Sequence, residues 1–326
     1  MCAYTVLVLF CIVNVGNKWT RSLETQPNSG SQIEETALPN TERRVREVDE
    51  DSSEFGVVDG RKKTTCPCGM ANKDAGRIIN GTETQESEYP FMVSIRKPNG
   101  RHNCGGSILT PYHILTAAHC VSDEWKKTTP IPQNEIPVVG VHETNKNGTY
   151  GQTQFMKVVQ IFVPKEWYSR PTRHTHLAGD IAILLLDRQI RFSKWVSPIC
   201  LTPDFPSITN GFIKAMGWGQ TEQTTSSHGL REALVQVLDQ SSCNNDPKEV
   251  CFKNGPTGTC FGDSGGPYVY VDPETNRYTQ VSIVSYVYDK CKGKHFVGTN
   301  LTYWYDWVQN VVQSTSKGFQ ICRKAD

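Results

Sequence analysis

Three short stretches of this 326-residue chain hold the residue types that nucleophilic hydrolysis requires. LTAAHC supplies His119, GDIAILLLD supplies Asp180 and GDSGGP supplies Ser264. A serine hydroxyl is a weak nucleophile near neutral pH and needs an adjacent base to take its proton. Histidine titrates near neutrality and can be that base. A buried carboxylate then fixes the imidazole tautomer and stabilises the imidazolium as it forms. Asp180 opens an apolar run, at the edge of a core where such a carboxylate belongs, whereas Asp187 at its far end reads as a surface residue. The glycines around Ser264 fit the same chemistry. The N–H groups of Gly262 and Ser264 can converge on the oxyanion of a tetrahedral intermediate, and glycine at 262 permits the turn this requires. The remaining histidines (His102, His113, His142, His174, His176, His228 and His295) read as loop or surface residues. HTH at 174–176 lacks the further clustered ligands of a metal site, so neither a metal nor an organic cofactor is expected.

The elements that must hold these residues are short. From Arg77 onward, FMVSIR, GGSILT, HILTAAHC, IAILLLD, FIKAMGWG and VSIVSYVY are apolar or alternating runs divided by Gly, Pro and Asn. Their lengths and spacing predict many short strands in an all-β barrel or sandwich. The last element differs: TYWYDWVQNVVQ, Thr302 to Gln313, sets Trp304, Trp307, Val308, Val311 and Val312 on one face of an amphipathic helix. Ahead of the domain, residues 1–16 read as a signal peptide, because AYTVLVLFCIVNVG is apolar but short for a bilayer span. Residues 17–77 read as a disordered propeptide, polar and poor in large apolar side chains. Within it RRVR, Arg43 to Arg46, reads as a processing site or a solvated charge patch. The catalytic domain is expected to span 78–326. Net charge of +1 gives no sign of nucleic-acid binding, and twelve cysteines indicate an oxidising, extracellular compartment.

The order His119, Asp180, Ser264, with TAAHC, GDSGGP, MGWG and the terminal TNLTYWYDWV, resembles the chymotrypsin-like (trypsin-fold, S1) serine proteases over about 250 residues. That resemblance implies two six-stranded antiparallel β-barrels and a C-terminal α-helix, with the catalytic residues in the cleft between the barrels. It implies a secreted serine endopeptidase made as a zymogen. GRIINGTE matches the family's activation junction: cleavage after Arg77 would free the Ile78 ammonium to pair with Asp263 and order the oxyanion loop. The family more often carries Val-Gly-Gly after that isoleucine. Here Ile-Asn-Gly creates a sequon at Asn80, beside others at Asn147 and Asn300.

The resemblance also pairs Cys104 with Cys120, Cys243 with Cys251 and Cys260 with Cys291. Cys200 matches the position that tethers the pro-segment, through Cys66 or Cys68, with Cys68 favoured. The other of those two and Cys322 are left over, and their pairing would be an extra bridge from the pro-segment to the C-terminal tail. Relatives that cut after Lys or Arg carry Asp six residues before the nucleophile; here that residue is Gly258. Ser285 opens the pocket wall, where Val287 and Phe296 stand in place of the glycines that keep the pocket open, so a shallow pocket taking small aliphatic residues is implied. Expected partners are protein or peptide substrates, a separate trypsin-like activating protease and protein protease inhibitors, with a monomeric enzyme and no membrane partner. The alternative is a catalytically silent binding protein whose pocket Val287 and Phe296 fill.

Overall fold

The computed structural model describes residues 56–72, 83–122, 136–140, 152–169, 179–221, 227–243, 245–254, 258–287, 295–315 and 318–326. The first sheet is built from β1 (Met92–Arg96), β2 (His102–Thr110), β3 (His113–Thr116), β4 (Ile136–Val139), β5 (Gln154–Phe155), β6 (Val158–Phe162) and β7 (Ala182–Leu186). Its strand order is β5-β4-β1-β2-β3-β7-β6, antiparallel throughout. A one-turn helix α1 (Lys165–Tyr168) follows β6. The second sheet comprises β8 (Cys200–Leu201), β9 (Phe212–Gly217), β10 (Arg231–Val237), β11 (Glu249–Asn254), β12 (Pro267–Asp272), β13 (Arg277–Val287) and β14 (Phe296–Asn300). It runs β12-β9-β10-β11-β14-β13-β8, and β12 pairs again with β13, which closes it. This is the all-β, two-barrel architecture with a terminal helix that the sequence implied. Each sheet counts seven strands rather than six because each includes a two-residue piece, β5 and β8.

Period-2 alternation reports which strands face water on one side. In β9, Ile213 and Ala215 are buried while Phe212 is exposed and Lys214 half-buried between them. β7 is apolar at every position because both of its faces are covered, one by the barrel core and one by α2 (Tyr305–Thr315). α2 buries Tyr305, Val308 and Val312, with Trp307 and Val311 partly buried at the seam. Asn300 precedes it, its Oδ1 accepting from the Thr302 backbone N–H at 3.1 Å, while its amide donates to Pro247 O at 2.9 Å. The Asn300 sequon is therefore built into the turn that starts the helix. Among the described residues no helix is long and apolar enough to cross a membrane.

Residues 56–72 correct the expectation of a propeptide disordered throughout 17–77. Two disulfides hold them: Cys68–Cys200 and Cys66–Cys322. Gly60 N–H donates to Thr275 O at 2.9 Å and Lys62 N–H to Glu274 O at 2.8 Å, on the turn between β12 and β13. Thr64 pairs antiparallel with Lys324, so the C-terminal tail and residues 56–72 form a small ladder of their own. Low apolar content does foretell disorder for an isolated segment. Here covalent bridges and backbone pairing supply what the composition lacks.

Candidate active site

His119 lies in a 3-10 turn, Ala118–Cys120, directly after β3, and Asp180 stands just ahead of β7. Because β3 and β7 are adjacent and antiparallel, with Thr116 opposite Ala182, the two residues meet at one sheet end. His119 Nδ1 lies 2.7 Å from Asp180 Oδ2, and the His119 backbone N–H donates to Oδ1 at 2.9 Å. Ser285 Oγ also donates to Oδ2, and Thr299 Oγ1 donates to the Asp180 carbonyl at 2.8 Å. Asp180 is fully buried. Burial by itself would raise its carboxyl, but the His119 imidazole, through charge and hydrogen bond, with the bonds from Ser285 and the His119 backbone, holds it below the ordinary carboxylate range. Such a carboxylate keeps the imidazole proton on Nδ1 and leaves Nε2 as the basic nitrogen; Nε2 lies 3.8 Å from Cys120 Sγ.

Ser264 is half-buried in the loop before β12. The Gly105 N–H donates to its carbonyl at 2.8 Å, which ties the loop to β2. Gly265 closes the approach to the histidine segment: a Cβ there would lie 2.2 Å from Thr116 Oγ1 and 3.2 Å from Ala117 N. The structure thus packs the serine loop against the residues leading into His119, and the Cys104–Cys120 disulfide braces the same region. Gly262 has φ +98°, in the left-handed region that glycine adopts at no steric cost. Its carbonyl meets His102 Nε2 at 2.9 Å, and His102 Nδ1 meets Ser94 Oγ at 2.9 Å.

Asp263 is buried between these groups, its carboxylate accepting from Gly219 N–H and Cys260 N–H, each at 2.8 Å. Burial pushes its carboxyl up to about 6, against the two backbone bonds. Among the described residues no cation forms an ion pair with it. A Cβ on Gly219 would fall 2.4 Å from Oδ2, so MGWG ends in glycine because the carboxylate lies against that backbone.

Two histidines read as loop or surface residues are neither. His113 opens β3 fully buried, its ring nitrogens meeting Thr110 Oγ1 at 2.6 Å and Thr315 Oγ1 at 2.9 Å, which joins the first barrel to α2. His102 spans β1 and the Gly262 carbonyl as described. The available signal was position: His113 begins an unbroken apolar run, where a strand's inward register continues. His228 and His295 are exposed as expected. Ser285, read as pocket wall, directs its hydroxyl to Asp180. Phe296 is fully buried among Val250, Phe252, Tyr268 and Val284. Cys251 and Cys260 are disulfide-bonded. Arg77, Ile78, Asn80, His142, Asn147, His174, His176 and Cys291 lie outside the described residues, as do the side chains of Cys243 and Val287.

His102 and His113 are both lowered by burial to about 4. A histidine held neutral in the fold titrates at its ordinary value once unfolded, so the unfolded chain takes up the proton first. Stability is then lost as pH falls from about 6.5 toward 4, by on the order of 3 kcal/mol per histidine. Asp263 works the other way: raised to about 6, it takes its proton sooner in the folded state and regains a similar amount over the same window. The expected net result between pH 7 and 4 is a fall of roughly 10 °C in Tm, and His113→Gln should remove about half of the histidine contribution. Thermal unfolding at stepped pH reads both; a Tm constant over that range would refute the assignment.

The family is settled by comparison with known proteins. A model of the family described as Trypsin matches residues 78–308. The chain belongs to the trypsin family of serine proteases. It is 29% identical over 242 residues to a venom serine protease of Polistes dominula, covering 71% of this chain and 83% of that protein. It is 31% identical over 273 residues to the clotting factor G beta subunit of Tachypleus tridentatus, covering 75% and 83%. It is 30% identical over 270 residues to the CLIP domain-containing serine protease HP8 of Bombyx mori, covering 74% and 70%. As a trypsin-family member the chain is a serine-type endopeptidase, and its substrates are proteins.

Proposed function

We propose that the chain is secreted as a zymogen, cut between Arg77 and Ile78 by a separate trypsin-like protease, and cleaves peptide bonds after small aliphatic residues. Ser264 attacks the peptide carbonyl while His119 takes its proton and returns it to the leaving amine. Asp180 orients His119 and stabilises the imidazolium. The N–H groups of Gly262 and Ser264 hold the oxyanion, and water then hydrolyses the acyl-enzyme. The observation that carries this reading is the buried Asp180 carboxylate, which receives the His119 ring and backbone N–H together beside the packed Ser264 loop.

Activation is supported by Asp263, a buried carboxylate raised to about 6 and bonded only to neutral backbone donors among the described residues. An incoming α-ammonium would lower it and fix the loop that carries Gly262 and Ser264. The pocket preference is supported by Gly258, which offers no charge to a cationic side chain, and by the burial of Phe296. Secretion is supported by the disulfides and by relatives named as venom and clotting proteases. Monomeric action and control by protein inhibitors belong to the same reading.

The test is limited cleavage at Arg77, followed by a serine-directed covalent probe and a peptide-library profile. The expected result is labelling of Ser264 only after the cut, with cleavage after Ala or Val. Cleavage after Arg or large aromatics would retain the enzyme and overturn the shallow pocket. Absence of labelling despite a free Ile78 would overturn the catalytic reading.

A further inference from the structure

Position 258 is where the reading above puts the floor of the specificity pocket, and the chain has no side chain of its own there. The space is already taken. A Cβ built on Gly258 would fall 1.7 Å from Asn254 Cγ, 1.8 Å from Nδ2 and 2.0 Å from Oδ1. The Asn254 carboxamide therefore stands where the first atoms of a residue-258 side chain would be. Asn254 is the last residue of β11, and its Oδ1 is buried without a hydrogen-bond partner. A buried amide oxygen left unpaired costs free energy, and such groups in folded proteins call for a specific explanation.

The neighbouring strand positions and Thr259 are firmly packed. Phe252, two residues earlier on β11, stacks on Tyr268 with ring centroids 4.0 Å apart, and Phe296 is buried in the same cluster. Thr259, next to Gly258, is buried with its hydroxyl 3.2 Å from Tyr268 Oη. The Asn254 amide oxygen is thus an unpaired polar atom at the position the reading above gives to the pocket floor, and one placed polar group fixes ligand orientation in a mostly apolar pocket.

We propose that Asn254, rather than residue 258, supplies the floor of the specificity pocket, and that its carboxamide favours a short hydroxyl-bearing side chain over its aliphatic isostere at the residue before the cut. The inference rests on the shallow-pocket reading, keeps its size limit and adds a chemical one. Threonine and valine differ at one atom, a hydroxyl for a methyl. The hydroxyl donates as well as accepts, so it pairs with the amide in either orientation. A valine in the same place leaves the amide unpaired, which is the stronger basis for discrimination.

The experiment uses the full chain cut after Arg77 and peptide pairs identical except for Thr or Val before the scissile bond. The wild type is expected to favour Thr in kcat/KM by about tenfold, the worth of one well-made hydrogen bond. Asn254→Leu should bring the ratio to one or below. Gly258→Ala, whose methyl must displace the carboxamide, should lose the preference independently. Thermal unfolding of both variants separates a folding defect from a change in selection. Equal cleavage of the pair by wild type, or a preference that survives both substitutions, would overturn the role of Asn254 and leave the small pocket standing. Cleavage confined to Arg or large aromatics would overturn both.

Discussion

Replacing Ser264 by Ala in the Arg77-cut protein should lower kcat by about 10⁶-fold, and replacing Asp180 by Asn should lower it by about 10⁴-fold. The two numbers differ for a structural reason. Alanine removes the nucleophile outright, and what remains is the contribution of the oxyanion donors and of binding. Asparagine keeps the shape of Asp180 but changes what its side chain offers. The carboxylate now accepts from the His119 ring at 2.7 Å, the His119 backbone at 2.9 Å and the Ser285 hydroxyl. An amide has one acceptor oxygen for these three donors, and its NH2 group faces a neighbour. If the amide nitrogen faces Nδ1, the ring must carry its proton on Nε2, where it can no longer take one from serine. If the oxygen faces Nδ1, it also receives the Ser285 hydroxyl, and the NH2 group is left against the His119 backbone N–H. Substrate binding should change little, so KM separates this from unfolding. Steady-state kinetics on a peptide with a small residue before the cut would decide the matter. An Asp180→Asn enzyme within tenfold of wild type would remove Asp180 from the mechanism.

What could be read in the sequence follows the range over which each feature is determined. Short alternating runs report burial one residue at a time, so β9, where Ile213 and Ala215 are buried and Phe212 is exposed, and the face of α2 that buries Val308 and Val312 are visible without neighbours. LTAAHC and GDSGGP are legible because their chemistry restricts residue type. Features fixed by distant backbone are not legible in the same way. His102 takes its partners from β1 and from the loop at 262, far along the chain. Ser285 reads as a pocket wall until Asp180 is known to lie beneath it. Asn254 gains its place only because Gly258 lacks a Cβ, which a list of residues does not reveal. Residues 56–72 are the same case at larger scale: they are polar, and their order comes from a turn and a tail more than two hundred positions away.

That ordered segment carries the second large effect. Removing the Cys66–Cys322 bridge with paired serine substitutions should lower stability by about 3–5 kcal/mol, or roughly 10 °C in Tm. The bridge joins residues 256 apart, so its loss frees a long closed loop in the unfolded chain. The local ladder also depends on it: Thr65 N–H to Arg323 O at 2.8 Å and Ala325 N–H to Lys63 O at 2.9 Å follow directly from the disulfide, on one side of it. Hydrogen exchange should report those two amides opening first, while amides in β12 and β13 stay protected. Cutting at Arg77 separates the effect on covalent attachment from the effect on stability. With both bridges intact, or with Cys68–Cys200 alone, the cut protein should run as one species without reductant and as two with it. Only removal of both bridges should release the segment that carries residues 56–72, leaving Arg277 without its contacts to Val58 O and Asp59. A paired Cys66 and Cys322 variant that melts within 1–2 °C of wild type, below about 1 kcal/mol, would show that the turn between β12 and β13 holds the segment without the bridge.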